Sequence, residues 1–158
     1  MLRRLVLATS IVATAALAVI ASASGGQPQP VSVSWVMAGP TATPPPADEL
    51  LPSCGAVTGS SWLLGTGTVT FSDPTGKAGN FQSNAHGTAV DNTGATYQWN
   101  YHQSAKDLGG GTFKIVDDFV LAGSGPITGI HSHFIAIATA TDFVPLHLFG
   151  DPVNCDPI

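Results

Sequence analysis

His131 and His133 are separated by one serine within the apolar run Ile127–Thr141. Residues two apart on a β-strand point to the same side, so both imidazoles can reach one metal ion. The predicted metal ligands are His131, His133 and His102, for one divalent transition metal. Other candidates for the third ligand are His86, His147 and Asp117. The alternative, which we favour, is that both histidines are structural and hydrogen-bond to neighbouring backbone or carboxylate groups, so that no cofactor is expected.

Gly125 lies six positions before His131. A glycine, five residues and then His-any-His resemble the opening of the first cupin motif. This resemblance implies a β-barrel whose histidines bind a metal inside the barrel, and therefore a small metal-dependent enzyme. The motif continues with a glutamate ligand a few residues later, whereas the first carboxylate after His133 is Asp142.

Other catalytic patterns are absent from the sequence. It contains no Gly-any-Ser-any-Gly elbow, and we expect both cysteines to be oxidised. Asp117 and Asp118 are neighbours in a predicted strand, so their carboxylates should point to opposite faces and form no acid–base pair. The sequence thus predicts no catalytic and no cofactor-binding residues.

Aromatic residues recur on the predicted strands and could line a cavity for a small apolar ligand. The alternative, which we favour, is that they simply fill the core. The candidates are Tyr97, Trp99, Tyr101, Phe113, Phe119 and Phe134.

The first residues resemble an export signal. Arg3 and Arg4 precede an uncharged apolar stretch, 5–20, which small residues follow. We predict a signal peptide over 1–23, a Pro/Gly-rich N-terminal segment over 24–52 with one strand at 31–37, and a β domain over 53–158. The expected location is secreted or extracellular, with no stable membrane span after cleavage.

The charge balance constrains the partners. After residue 23, three lysines stand against ten acidic residues, a formal charge of −7. Such a surface argues against nucleic acid as a partner. The partners that we consider are a small apolar ligand or a cell-surface component. The predicted function is a non-catalytic binding or structural role.

Cys54 and Cys155 are the two cysteines of the chain. Exported proteins fold under oxidising conditions, so we predict one disulfide between them that closes the β domain.

Strand patterns recur every ten to fifteen residues after Cys54. Tyr97, Trp99 and Tyr101 alternate with polar residues, and 91–94 (DNTG) is a hairpin turn. Residues 104–111 (SAKDLGGG) are predicted to be a loop. The sequence therefore predicts an all-β fold, an antiparallel β-barrel or β-sandwich of about six to seven strands.

Overall fold

The structure, a computed structural model, describes residues 30–51, 55–72, 80–127, 129–139 and 143–151. The predicted signal peptide and both cysteines lie outside these residues. The described residues form strands, turns and loops, and include no helix that could cross a membrane. The strands are β1 (Val31–Ala38), β2 (Glu49–Leu51), β3 (Trp62–Ser72), β4 (Phe81–Asp91), β5 (Thr96–Gly109), β6 (Thr112–Gly123), β7 (Ile130–Ala138) and β8 (Phe143–Asp151).

All eight strands belong to one sheet, in the order β2-β1-β3-β4-β5-β6-β7-β8. Seven are antiparallel neighbours, and the short edge strand β2 is parallel to β1. The all-β prediction is confirmed, and the sheet is curled into a half-barrel. The described residues therefore show a single open sheet with edges at β2 and β8. The structure has eight strands instead of the predicted six to seven, since the three-residue strand β2 is too short to be predicted from the sequence.

Contacts between distant strands show which face of the sheet is concave. Four inter-strand steps separate β1 from β6, which on a flat sheet would be about 19 Å at about 4.8 Å per step. Nevertheless, the rings of Trp35 on β1 and Phe119 on β6 lie 5.7 Å apart, centroid to centroid. The sheet must therefore curl around this face. On β3, β4, β5 and β6, alternate residues face this side, and these positions carry most of the aromatic core.

Glycines on β3 make room for the two indole rings of this core. A Cβ atom at Gly65 would overlap the ring of Trp35, and one at Gly67 would overlap Trp99 and the backbone of His86. Both indoles can therefore approach the backbone of β3 more closely than a residue with a Cβ atom at these two positions would permit.

The predicted hairpin at 91–94 joins β4 to β5. Asp91 is buried and accepts hydrogen bonds from the backbone N–H groups of Thr93 (2.8 Å) and Ala95 (3.0 Å) and from the Tyr97 hydroxyl (2.8 Å). Gly94 adopts a φ of 86°, which glycine accommodates without strain. Burial alone would raise the pKa of Asp91, but these bonds and one from the Thr93 hydroxyl lower it.

The predicted loop 104–111 is wrong for most of its length. β5 continues to Gly109 and pairs with β6, and the turn is confined to residues 110–111. Gly109, Gly110 and Gly111 all have positive φ values, so the glycines form a tight turn at the end of a long hairpin.

β7 lies next to the edge strand β8, although its apolar run suggests a strand covered on both faces. Ile130 and Ala136 point into the concave side and are fully buried. His131 and His133 occupy the alternate positions and point to the convex side, where their side chains are 42% and 24% exposed.

Candidate functional site

A cavity of about 210 Å³ opens on the concave side of the half-barrel. Its polar positions are confined to one end, at Ser32, Ser34, Asp48 and Glu49. The remainder of the lining is aromatic or aliphatic: Trp35, Phe71, Trp99, Tyr101, Phe119, Val31, Val33, Leu51, Val69 and Ala85. The cavity is thus an apolar space with an acidic end.

Trp35 is the centre of the aromatic wall. Its ring meets Trp99 edge to face, with centroids 5.6 Å apart, and meets Phe119 in the same way at 5.7 Å. The Nε1 atom of Trp35 is buried and has no hydrogen-bond partner among the described residues. In contrast, Nε1 of Trp99 donates to the carbonyl oxygen of Thr88 at 3.1 Å. Trp35 therefore keeps one buried donor without a partner in the described part of the chain.

Glu49 forms the acidic end together with Asp48. Glu49 is the register partner of Trp35 on a parallel neighbour, so both side chains lie on the concave side. Its Oε2 atom is buried without a hydrogen-bond partner within the described part of the chain. Burial and the adjacent Asp48 carboxylate raise the pKa of Glu49 to about 7. The Asp48 carboxylate, in contrast, has hydrogen-bond partners: it accepts from the backbone N–H (2.9 Å) and the hydroxyl (2.7 Å) of Ser34.

Asp117 lies behind the cavity wall, buried on the concave side. Its Oδ2 atom accepts hydrogen bonds from the Tyr101 hydroxyl at 2.7 Å and from Nε2 of Gln103 at 3.0 Å. Burial raises the pKa of Asp117 to about 6, against the lowering effect of these two bonds. Burial and the charges of Asp117 and Glu49 raise the pKa of Tyr101 well above its ordinary value. This triad fixes the Tyr101 ring that lines the cavity.

The predicted histidine pair is held by Asp118. Nε2 of His131 lies 3.0 Å from the Oδ1 atom of Asp118, and Nδ1 of His133 lies 3.8 Å from the same atom. A carboxylate only accepts hydrogen bonds, so Nε2 of His131 carries the hydrogen in the shorter contact. The two imidazoles do share one side of the strand, as predicted. However, they lie on the convex face, whereas the cupin resemblance implies histidines inside a barrel.

Within the described ranges, the other candidate ligands do not complete a metal site with the histidine pair, although His86 and His102 line a convex-face cavity together with Asp118. His102 lies opposite Asp118 in the register, and its Nδ1 atom is 2.8 Å from the Oδ1 atom of Asn84. Asp117 points to the concave side and cannot join the histidine pair. His86 is exposed on the convex face, and His147 is opposite Ile135 on β8. Among the described residues, no group of three or more His, Cys, Asp or Glu side chains could hold a metal ion.

The cavity only partly matches the predicted aromatic set. Trp99, Tyr101 and Phe119 line it, whereas Tyr97 is buried in the core next to Asp91. Phe113 lies outside the lining, and the side chain of Phe134 is not among those described. Sequence reasoning missed Trp35, Phe71 and Glu49. The alternation around Trp35 in strand 31–37 was the available signal, whereas nothing in the sequence marks Glu49 as buried.

Comparisons with protein-family models, curated proteins and solved structures found no match to this chain.

Proposed function

We propose that this protein is a secreted, non-catalytic binding domain that holds a small, largely apolar molecule on the concave side of its half-barrel. The observation that carries the proposal is the open cavity of about 210 Å³ among aromatic and aliphatic side chains. Ligand sites of proteins are typically concave and mostly apolar, with a few polar groups that orient the ligand. Ser32, Ser34, Asp48 and Glu49 are such polar residues in the lining of this cavity.

The size of the cavity indicates the size of the ligand. An engineered apolar cavity of about 150 Å³ stays dry and binds benzene. By proportion, about 210 Å³ accommodates an apolar body of about eight non-hydrogen atoms. A larger molecule would extend through the open side of the cavity.

Calorimetric titration with ethylbenzene, which has eight non-hydrogen atoms, tests the proposal. We expect saturable binding to one site in the wild-type protein. The substitution Val33→Trp places an indole in the cavity and should abolish binding. Val90→Trp on the convex face is the matched control, since Val90 is half-buried on β4 and does not line the cavity. If the wild-type protein does not bind, or if Val33→Trp binds as tightly as the wild-type protein, the proposal is wrong.

The metal-dependent, cupin-like barrel enzyme is the alternative. It would use His131 and His133, which Asp118 brings together on the convex face. The concave cavity contains neither histidine, so this alternative makes no use of it. It therefore stays a prediction that elemental analysis can test.

A further inference from the structure

The charged groups around the cavity are all acidic. Asp48 and Glu49 line it, and no Lys, Arg or His side chain does among the described residues. Asp117 lies one layer behind, bonded to Tyr101. A ligand that enters the cavity therefore meets a negative potential that no cation of the lining offsets.

Glu49 is half-buried, and one of its two carboxylate oxygens, Oε2, is fully buried. Buried charges in proteins are paired or hydrogen-bonded, because an isolated charge in an apolar surrounding is costly. The Oε2 atom of Glu49 has neither an ion pair nor a hydrogen bond among the described residues. The raised pKa of Glu49 is the expected consequence of this missing partner. A cation bound next to Glu49 would supply it.

The rest of the wall also suits a cation. Five aromatic residues line the same cavity as Glu49: Trp35, Phe71, Trp99, Tyr101 and Phe119. The face of an aromatic ring is negative, and cages of aromatic side chains bind organic ammonium groups through it. The same rings provide apolar surface for the body of the ligand.

We propose that the ligand is an organic cation, with an ammonium head paired to Glu49 and an apolar body against the aromatic wall. This inference rests on the proposed binding function and specifies its ligand class. A neutral alcohol would satisfy the hydrogen bond to Glu49 but not the charge. A carboxylate would be repelled by Glu49 and Asp48. The preferred order of head groups is therefore ammonium, then hydroxyl, then carboxylate.

Three probes of nearly the same shape separate these heads: 2-phenylethylammonium, 2-phenylethanol and phenylacetate. Titrations at pH 8 keep Glu49 ionised, because its pKa is about 7, and keep the amine protonated. Both the ammonium and the alcohol can donate a hydrogen bond to Glu49, but only the ammonium adds the attraction between opposite charges, which is worth roughly tenfold or more in affinity at a partly desolvated site. We expect the ammonium probe to bind at least about tenfold more tightly than the alcohol, and phenylacetate to bind most weakly.

Glu49→Gln removes the charge and keeps the shape of the side chain. It should reduce the preference for the ammonium probe over the alcohol to about onefold. Asp118→Asn changes the net charge equally on the convex face and should leave the preference intact. Circular dichroism verifies that each variant is folded. If Glu49→Gln does not fold, the comparison of the three probes on the wild-type protein still tests the inference.

The outcomes distinguish the inference from the function on which it rests. Equal or tighter binding of the alcohol by the wild-type protein would overturn the cation inference, as would an ammonium preference that survives in Glu49→Gln. In both cases ethylbenzene binding would still support an apolar binding site. If neither ethylbenzene nor any of the three probes binds, the proposed function itself fails.

Discussion

Replacing the buried Asp117 by asparagine should change how the stability of the protein depends on pH. Burial raises the pKa of Asp117 from 3.8 to about 6, so the folded state binds its proton more tightly than the unfolded state. As the pH rises from about 4 to about 6, the unfolded chain releases this proton first, and folding loses stability. Above about pH 6 the loss is complete. A shift of about two pKa units corresponds to roughly 3 kcal/mol of unfolding free energy.

Asparagine preserves the local geometry but does not titrate. Both hydrogen bonds to Asp117 end on Oδ2, so an amide oxygen in that place can accept from Tyr101 and Gln103. We therefore expect Asp117→Asn to lack this part of the pH dependence. Relative to the wild-type protein, the variant should gain up to about 3 kcal/mol between pH 4 and pH 8, less any weakening of the two bonds.

Urea denaturation at pH 4, 5, 6, 7 and 8, followed by tryptophan fluorescence, measures the difference. All other titrating groups are common to both proteins and cancel when the two curves are subtracted. Asp118→Asn is the control, since Asp118 is 40% exposed on the opposite face. Parallel pH profiles for the wild-type protein and Asp117→Asn would refute the reasoning. A gain below pH 4 rather than above it would refute it as well.

Three further predictions concern other parts of the chain. Asp91→Ala removes the acceptor of the hairpin bonds and should cost roughly 3 kcal/mol in urea denaturation at pH 7; a loss under about 1 kcal/mol would contradict this role. Alkylation of the unreduced protein should leave Cys54 and Cys155 unmodified. Reduction of the disulfide should lower the free energy of unfolding by up to about 4–5 kcal/mol. Modification of both cysteines without reductant would exclude the disulfide. Elemental analysis should find no stoichiometric metal, whereas a metal that disappears on replacing His131 and His133 by alanine would support the enzyme alternative.

The strands were predictable where one face is apolar and the other polar. Tyr97, Trp99 and Tyr101 alternate with polar residues, and the structure buries all three. The edge strand β2 was not predictable, because Glu49–Leu51 is too short for a period and follows a proline segment. The extension of β5 to Gly109 was missed for a different reason. Lys106 and Asp107 are exposed there, so pairing with β6 rather than burial holds them in the strand.

The site was harder to predict than the strands. The period of two correctly indicated that His131 and His133 share a face, but it could not tell which face is concave. That depends on the curl of the whole sheet, which brings Trp35 to Phe119 across four strand steps. Glu49 lies on the same face, on the three-residue edge strand β2, which is too short for a local pattern to indicate it.

Nuclear magnetic resonance of the indole N–H groups tests the central claim, a ligand site on the concave side. The chain has three tryptophans, and Trp35 and Trp99 line the cavity while Trp62 does not. On titration with ethylbenzene or 2-phenylethylammonium, the signals of Trp35 and Trp99 should shift together and saturate, and that of Trp62 should stay in place. Absent shifts, or equal shifts for all three indoles, would contradict a binding site in the half-barrel.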